Sequence, residues 1–193
     1  MPTLFPPSVP ASQLGRAASE IGMAGLLGGA LFGRLALHPA LVGISDPAER
    51  GKVLNASWRR YGMVNSLSLA AVVAGWVGAR AAEARDENLS AREQRLARVK
   101  DGFVAASALT GVATAVQGNR FAHSAPAGAV PLRDGDHTTA GATDEQARRK
   151  RVVSLLGLAS IGANVGLVAA NAALAQENFR RPPARRLGGR LRR

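Results

Sequence analysis

Between Val152 and Gln176 the chain runs 25 residues, VVSLLGLASIGANVGLVAANAALAQ, without a charge. As an α-helix that stretch is about 37 Å long, against the roughly 30 Å hydrocarbon core of a bilayer, which takes about 20 apolar residues to cross. Basic residues stand on both sides of it, RRKR at 148–151 and Arg180 with Arg181. A charge-free run of this length between basic flanks reads as a membrane span.

Three more stretches fit the same description less fully. The first helix is expected from about Leu14 to Leu37, ahead of Pro39, which breaks or kinks it, with an uncharged centre from Ile21 to Gly33 bounded by Glu20 and Arg34. The second is GMVNSLSLAAVVAGWVGA at 62–79. The third, GFVAASALTGVATAVQG at 102–118, is rich in Ala, Ser and Thr and inserts well only beside other helices. Spans at about 17–40, 62–82, 102–118 and 152–176 define an all-α, four-helix transmembrane bundle. A single membrane domain then covers 14–178, with an irregular, Pro-rich segment at 1–13 and a disordered polybasic tail at 179–193, FRRPPARRLGGRLRR in the main.

Helix starts are legible between the spans. Asp46-Pro47-Ala48-Glu49 places an acid at N-cap, proline at N1 and glutamate at N3. Ser90 with Glu93, and Thr143 with Gln146, form two further capping-box pairs, so helices are expected to begin at Ala91 and Asp144. After Pro47, Val53, Leu54, Trp58 and Tyr61 share a face, which predicts a short interfacial helix leading into the second span. The connection at 119–143, with its Gly, Pro and Asp residues, reads as a flexible loop.

The net charge of +12, from 25 Lys and Arg against 13 acids, calls for an acidic partner, either a phosphate backbone or an anionic lipid surface. Aromatic residues make up only 4% of the chain, too few for a nucleic-acid reader that stacks on bases, so lipid is preferred. The mean hydropathy of +0.02 is low for a membrane protein because the charges are gathered into blocks. With no cysteine there is no disulfide, thiolate metal site or cysteine nucleophile. MPTLFPPSVP lacks the basic start of a signal peptide. Four spans put both termini on one side. Lys and Arg number 14 there and 10 on the other, so the positive-inside rule places both termini in the cytoplasm of a cell whose inner (plasma) membrane holds the protein. The basic tail would then lie against anionic lipid, each residue contributing about 1 kcal/mol.

Several constellations are candidates for chemistry, each with a plainer reading beside it. Glu20, Arg34 and His38 fall near one face of the first helix and would suit a proton path or a carboxylate ligand; the plainer reading sets them at the interfaces. Trp58, Arg59, Arg60, Tyr61 and Asn65 would frame a polar pocket with His38, or simply form an aromatic belt with basic anchors. Asp134, Asp136, His137 and Asp144 carry metal-compatible atoms, but without a second histidine at ligand spacing, and no metal is expected. Asn164 and Asn171, with Gln117 and Thr110, suit an interior polar track or hydrogen-bonding between helices. Small residues spaced by four, Gly25, Gly29 and Gly33 in the first helix, Ala71 and Gly75 in the second, Gly162 and Gly166 in the fourth, mark faces where another helix can come close.

HPAL after a Gly-rich first span, followed by WRRY opening the second, resembles small bacterial four-helix membrane proteins of unassigned function and, more loosely, the anthrone-oxygenase-like group. The resemblance covers about 20–120, and the looser one implies a cofactor-poor hydrophobic pocket between the helices. An Ala, Gly and Arg bias with only three Lys looks like a GC-rich bacterium. No phosphate loop, dinucleotide fingerprint, nucleophile elbow or zinc motif is present in the sequence, and no cofactor is expected. The expected function is therefore a non-catalytic membrane protein acting through helix packing, alone as a homo-oligomer or within a larger membrane complex. The alternatives are a membrane-embedded enzyme or carrier for a small hydrophobic molecule, and a soluble basic bundle that binds nucleic acid.

Overall fold

The computed structural model describes residues 11–82 and 84–179. The segment before Ala11 and the polybasic tail beyond Phe179 lie outside the described residues. Four long helices make up the bundle: α1 (Ala11–Phe32), α2 (Pro47–Ala81), α3 (Ala91–Ala122) and α4 (Asp144–Phe179). Each is long and apolar enough to cross a membrane. At 35 residues α2 measures about 52 Å, so its ends extend well past a hydrocarbon core. α1 packs along α2 and α3 along α4, and the ring closes through lighter α2–α3 and α1–α4 contacts.

The helix starts follow the sequence cues. Asp46 accepts a hydrogen bond from the Ala48 N–H at 3.0 Å, with Pro47 at N1. Ser90 and Glu93 form a complete capping box, and Thr143 and Gln146 exchange the same pair of bonds at 3.0 and 3.2 Å. α2 corrects one expectation. The interfacial helix at its start is not a separate element, because nothing in 47–81 interrupts the backbone ladder. Another correction is at Pro39. Instead of ending there, α1 widens into a π-helical turn (Gly33–Leu37) and continues helically to Gly43. The His38 N–H reaches back to the Gly33 carbonyl. The wider turn just before proline accommodates the ring, which in a regular helix would collide with the carbonyl four residues earlier.

The core has two parts. Met23, Leu26, Val72, Trp76, Val104, Leu167 and Leu174 fill the body of the bundle. Leu41, Leu54, Phe121, Val130 and Leu132 form a second cluster at the end where α1 and α3 finish. Val130 and Leu132 belong to the 119–143 connection, and both are completely buried. That connection is not a free loop. The Leu132 N–H donates to the Pro47 carbonyl at 3.0 Å, and Arg50 donates to the carbonyls of Ile44, Leu132 and Arg133. Gln146 Nε2 adds a bond to the Ser124 carbonyl at 2.9 Å. Flexibility was expected from the Gly and Asp content; the apolar anchors and these long-range bonds override it.

Candidate functional site

The folded connection builds a charged cluster over the end of α1. Asp136 reaches back 102 residues to pair with the Arg34 guanidinium. His38 Nδ1 lies 3.3 Å from the same carboxylate oxygen, near enough for attraction but off the line of a hydrogen bond, and both ring nitrogens are buried without hydrogen-bond partners. Ser154 of α4 donates to Asp136 at 3.2 Å, and buried Lys150, one turn earlier, lies within electrostatic reach. The loop backbone at Gly135 sits directly on His38, since a Cβ there would fall 2.2 Å from the histidine Cβ. Burial pushes the Asp136 carboxyl up, but His38, Arg34 and Lys150 outweigh it and hold the group below the usual carboxylate range. In Asp134 burial is likewise outweighed, here by the N–H groups of Asp136 and His137, the His137 ring and Arg133, and its pKa falls to about 2.

Trp58 stands edge-on between His38 and Tyr61, each pair of rings 6.1 Å apart. These rings occupy the glycine stripe of α1. Trp58 covers Gly33, Tyr61 covers Gly29 and donates to the Gly25 carbonyl, and Ser68 Oγ sits over Gly25. The stripe thus admits side chains along most of its length. Backbone approaches backbone at Gly22, whose absent Cβ would lie 2.6 Å from the Ser68 carbonyl and next to Ala71, and at Gly75 against the Gly15 carbonyl. Arg60 is exposed and Asn65 half-buried. In α4, Gly166 receives the Phe103 ring, while a Cβ on Gly162 would meet open space.

Glu20 is not part of the Arg34–His38 cluster. Fourteen residues along a helix is about 21 Å, and Glu20 instead lines a shallow groove of 390 Å³ with Met23, Leu27, Val168 and Asn171. Asn171 accepts a hydrogen bond at 2.7 Å from Lys100, which is 5% exposed and whose ammonium lies 4.0 Å from the centre of the Trp76 ring. Trp76 Nε1 donates to Asp101 at 2.6 Å, and Arg80 ties Asp101 to Asp86 in the charged turn.

Lys100–Asn171 is one rung of a longer pattern. Seven residues on in α3 and seven back in α4 are Ser107 and Asn164, both buried, each with an oxygen lacking a protein partner. Two further steps reach Phe121 and Lys150, whose ammonium is 5.6 Å from the ring centre. Buried polar groups therefore mark the α3–α4 seam at the levels of Lys100, Ser107 and Lys150, in register with a heptad whose remaining step, Thr114 beside Gly157, is only half-buried. The sequence showed the asparagines; the lysines opposite and beyond them needed the helix pairing.

Asp134 and His137 pair at 2.8 Å, but the four residues Asp134, Asp136, His137 and Asp144 form no group of three metal-ligating side chains, and none exists among the described residues. The Gln117 side chain has no hydrogen bond among the described residues, and Thr110 bonds back to Ala106 within its own helix. Chemically, the cluster at the end of α1 acts as a latch, an acid from a loop inserted among three cationic or ionisable side chains. No protein-family model, curated protein or solved structure matches this chain.

Proposed function

We propose that the chain is an integral, multi-pass protein of a bacterial inner membrane, both termini in the cytoplasm, with a non-catalytic role in supporting or assembling a membrane complex or homo-oligomer. One observation carries this: large apolar side chains are left uncovered on all four helices. Ile21, Phe32 and Leu35 on the first element, Met63, Leu67 and Val77 on α2, Leu109 and Val112 on α3, and Leu155 and Leu158 on α4 face outward. The lysines that stand just before the third and fourth spans, Lys100 and Lys150, are turned inward. Lipid is the solvent in which that distribution is favourable. The basic tail would supply a contact with anionic lipid. The non-catalytic role is supported by the latch, whose Arg34 and Asp136 engage each other instead of lining an open cavity.

Alkaline washing of membranes tests the first half. An integral protein stays in the pellet; release to the supernatant would favour the soluble, nucleic-acid-binding bundle. The competing role, an enzyme or carrier for a small hydrophobic molecule, draws on the buried ring nitrogens of His38, which have no hydrogen bond among the described residues. If Arg34→Ala and His38→Ala leave the cellular phenotype intact while Gly29→Leu abolishes it, packing is the function. The reverse pattern would make the cluster a reactive site.

A further inference from the structure

We propose that the groove between the start of α2 and the end of α3 binds the phosphodiester headgroup of an anionic phospholipid. The groove holds about 670 Å³ and lies at the latch end of the bundle. Lys52, Asn55 and Arg59 line it from one face of α2, and His123 closes it from α3 with no carboxylate among the lining residues. Arg59 is exposed and has no ion-pair or hydrogen-bond partner among the described residues. Lys52 has only the exposed Glu49, at 3.0 Å. The far wall is the turn Pro126–Gly128. It holds two consecutive left-handed residues, Ala127 at φ 51° and Gly128 at φ 72°, fixed by a 2.8 Å bond from Asn55 Nδ2 to the Gly128 carbonyl. An alanine in that conformation costs roughly 1–2 kcal/mol. The turn keeps this shape because Val130, two residues on, is buried against Gly51.

What lies below the groove selects a lipid over a free anion. The face of α2 that carries Arg59 continues through Met63 and Leu67, which are 71% and 66% exposed. Opposite them on α3 are Val116 and Val112, also uncovered, and the two helices meet behind them where Gly111 touches Leu69. A cationic cup thus opens into an apolar furrow on the membrane-facing side. That is the outline of a two-part molecule, with a phosphate between Lys52 and Arg59 and acyl chains along the furrow.

The test uses delipidated full-length protein in a neutral detergent, titrated with dioctanoyl phosphatidylglycerol, dioctanoyl phosphatidylcholine or inorganic phosphate, with binding read by native mass spectrometry. One phosphatidylglycerol is expected to be retained, with phosphatidylcholine at least about tenfold weaker and equimolar phosphate unable to displace it. Lys52→Gln with Arg59→Gln should weaken the anionic lipid about thirtyfold, as expected for two lost charge contacts. Arg95→Gln with Arg98→Gln, equal in charge and at the other end of the bundle, should leave it within about twofold. Equal binding of phosphatidylcholine, displacement by free phosphate, or the same loss in both variant pairs would overturn the site. The inference rests on the membrane reading, and the failures are separable. Release by alkaline washing sinks that reading, whereas an integral protein that fails to distinguish the two lipids sinks the groove alone.

Discussion

The two helix pairs of this bundle are held together by different means. α1 meets α2 through absent side chains, with glycines at 22, 25, 29 and 33 receiving Ser68, Tyr61 and Trp58. α3 meets α4 through one such ring-on-glycine contact, Phe103 on Gly166, and otherwise through polar side chains, with Lys100 on Asn171, Ser107 opposite Asn164 and Lys150 against Phe121. In lipid neither seam gains from expelling water, since acyl chains are as apolar as leucine. The first seam relies mainly on close packing, which is intolerant of added volume, with the Tyr61 hydroxyl bond to the Gly25 carbonyl as its polar contact. The second relies on buried hydrogen bonds and cation–ring contacts, which hold a register because any slip strands a polar group. A membrane bundle can thus combine one pair fixed by shape with another fixed by polarity.

The largest expected effect breaks the shape-fixed seam. Gly29→Leu drives a side chain into the Tyr61 ring, whose hydroxyl already lies 1.8 Å from where a Cβ would be. It should destabilise the protein by about 3 kcal/mol or more in reversible SDS unfolding, or prevent folding outright. The same substitution at Gly162 of α4, where a Cβ meets nothing, should change stability by less than about 0.5 kcal/mol. Equal effects would mean that the stripe is not the contact.

The next effect sharpens the polar seam. Asn171→Leu removes the hydrogen bond to the buried Lys100 ammonium, which keeps the Trp76 face and the electrostatic reach of Glu20 and Asp101, at a cost of about 2 kcal/mol. Lys100→Met alone should cost less, and the double variant should recover most of the loss, since replacing both members of a buried polar pair is often neutral. Strict additivity in this cycle would show that the two side chains do not act as a pair.

Acid should open the latch without parting either seam. Asp134 and Asp136 both have depressed pKa values, so their contribution is complete above about pH 4; that of Asp134 is lost as pH falls towards about 2, and that of Asp136 is lost as pH falls below the usual carboxylate range. Pepsin cleavage within 119–143, normalised to cleavage of an unstructured peptide at each pH, should rise as pH falls across that window and stay constant in a protein carrying Asp134→Asn and Asp136→Asn. The smallest effect is at Ser107→Ala. It removes a buried hydroxyl that has no hydrogen-bond partner among the described residues, and should be neutral or stabilising by up to about 1 kcal/mol. A marked loss would point to a bound water in that rung.

Helices were legible from sequence where local chemistry decides them. The caps at Ser90–Glu93 and Thr143–Gln146 act within one turn, and an uncharged run such as 152–176 needs no partner to declare itself. The 119–143 connection was misread because its order is non-local. Val130 and Leu132 are isolated apolar residues among turn formers, and their anchors, Gly51, Arg50 and Pro47, lie some 80 residues earlier. For the same reason Arg34 and His38 could be paired from spacing, whereas Asp136 could not be added. Glu20 shared their face on a helical wheel, but the wheel carries no axial distance. The heptad interval of Lys100 and Ser107 was also present in the sequence, hidden because each residue alone reads as an exposed charge or a neutral polar filler.

Residue-by-residue accessibility in native membranes tests the central claim most directly, and a chain without cysteine gives a clean background. Single variants Leu109→Cys, Leu158→Cys, Glu87→Cys and Ala127→Cys would be treated with a membrane-impermeant maleimide. All four native residues are exposed in the fold, so a bundle in water would label all of them alike. A lipid-embedded bundle predicts that Leu109→Cys and Leu158→Cys stay unmodified until detergent and denaturant are added, with Glu87→Cys and Ala127→Cys labelling from opposite sides of the membrane. Ready labelling of the two mid-helix cysteines in intact vesicles would contradict it.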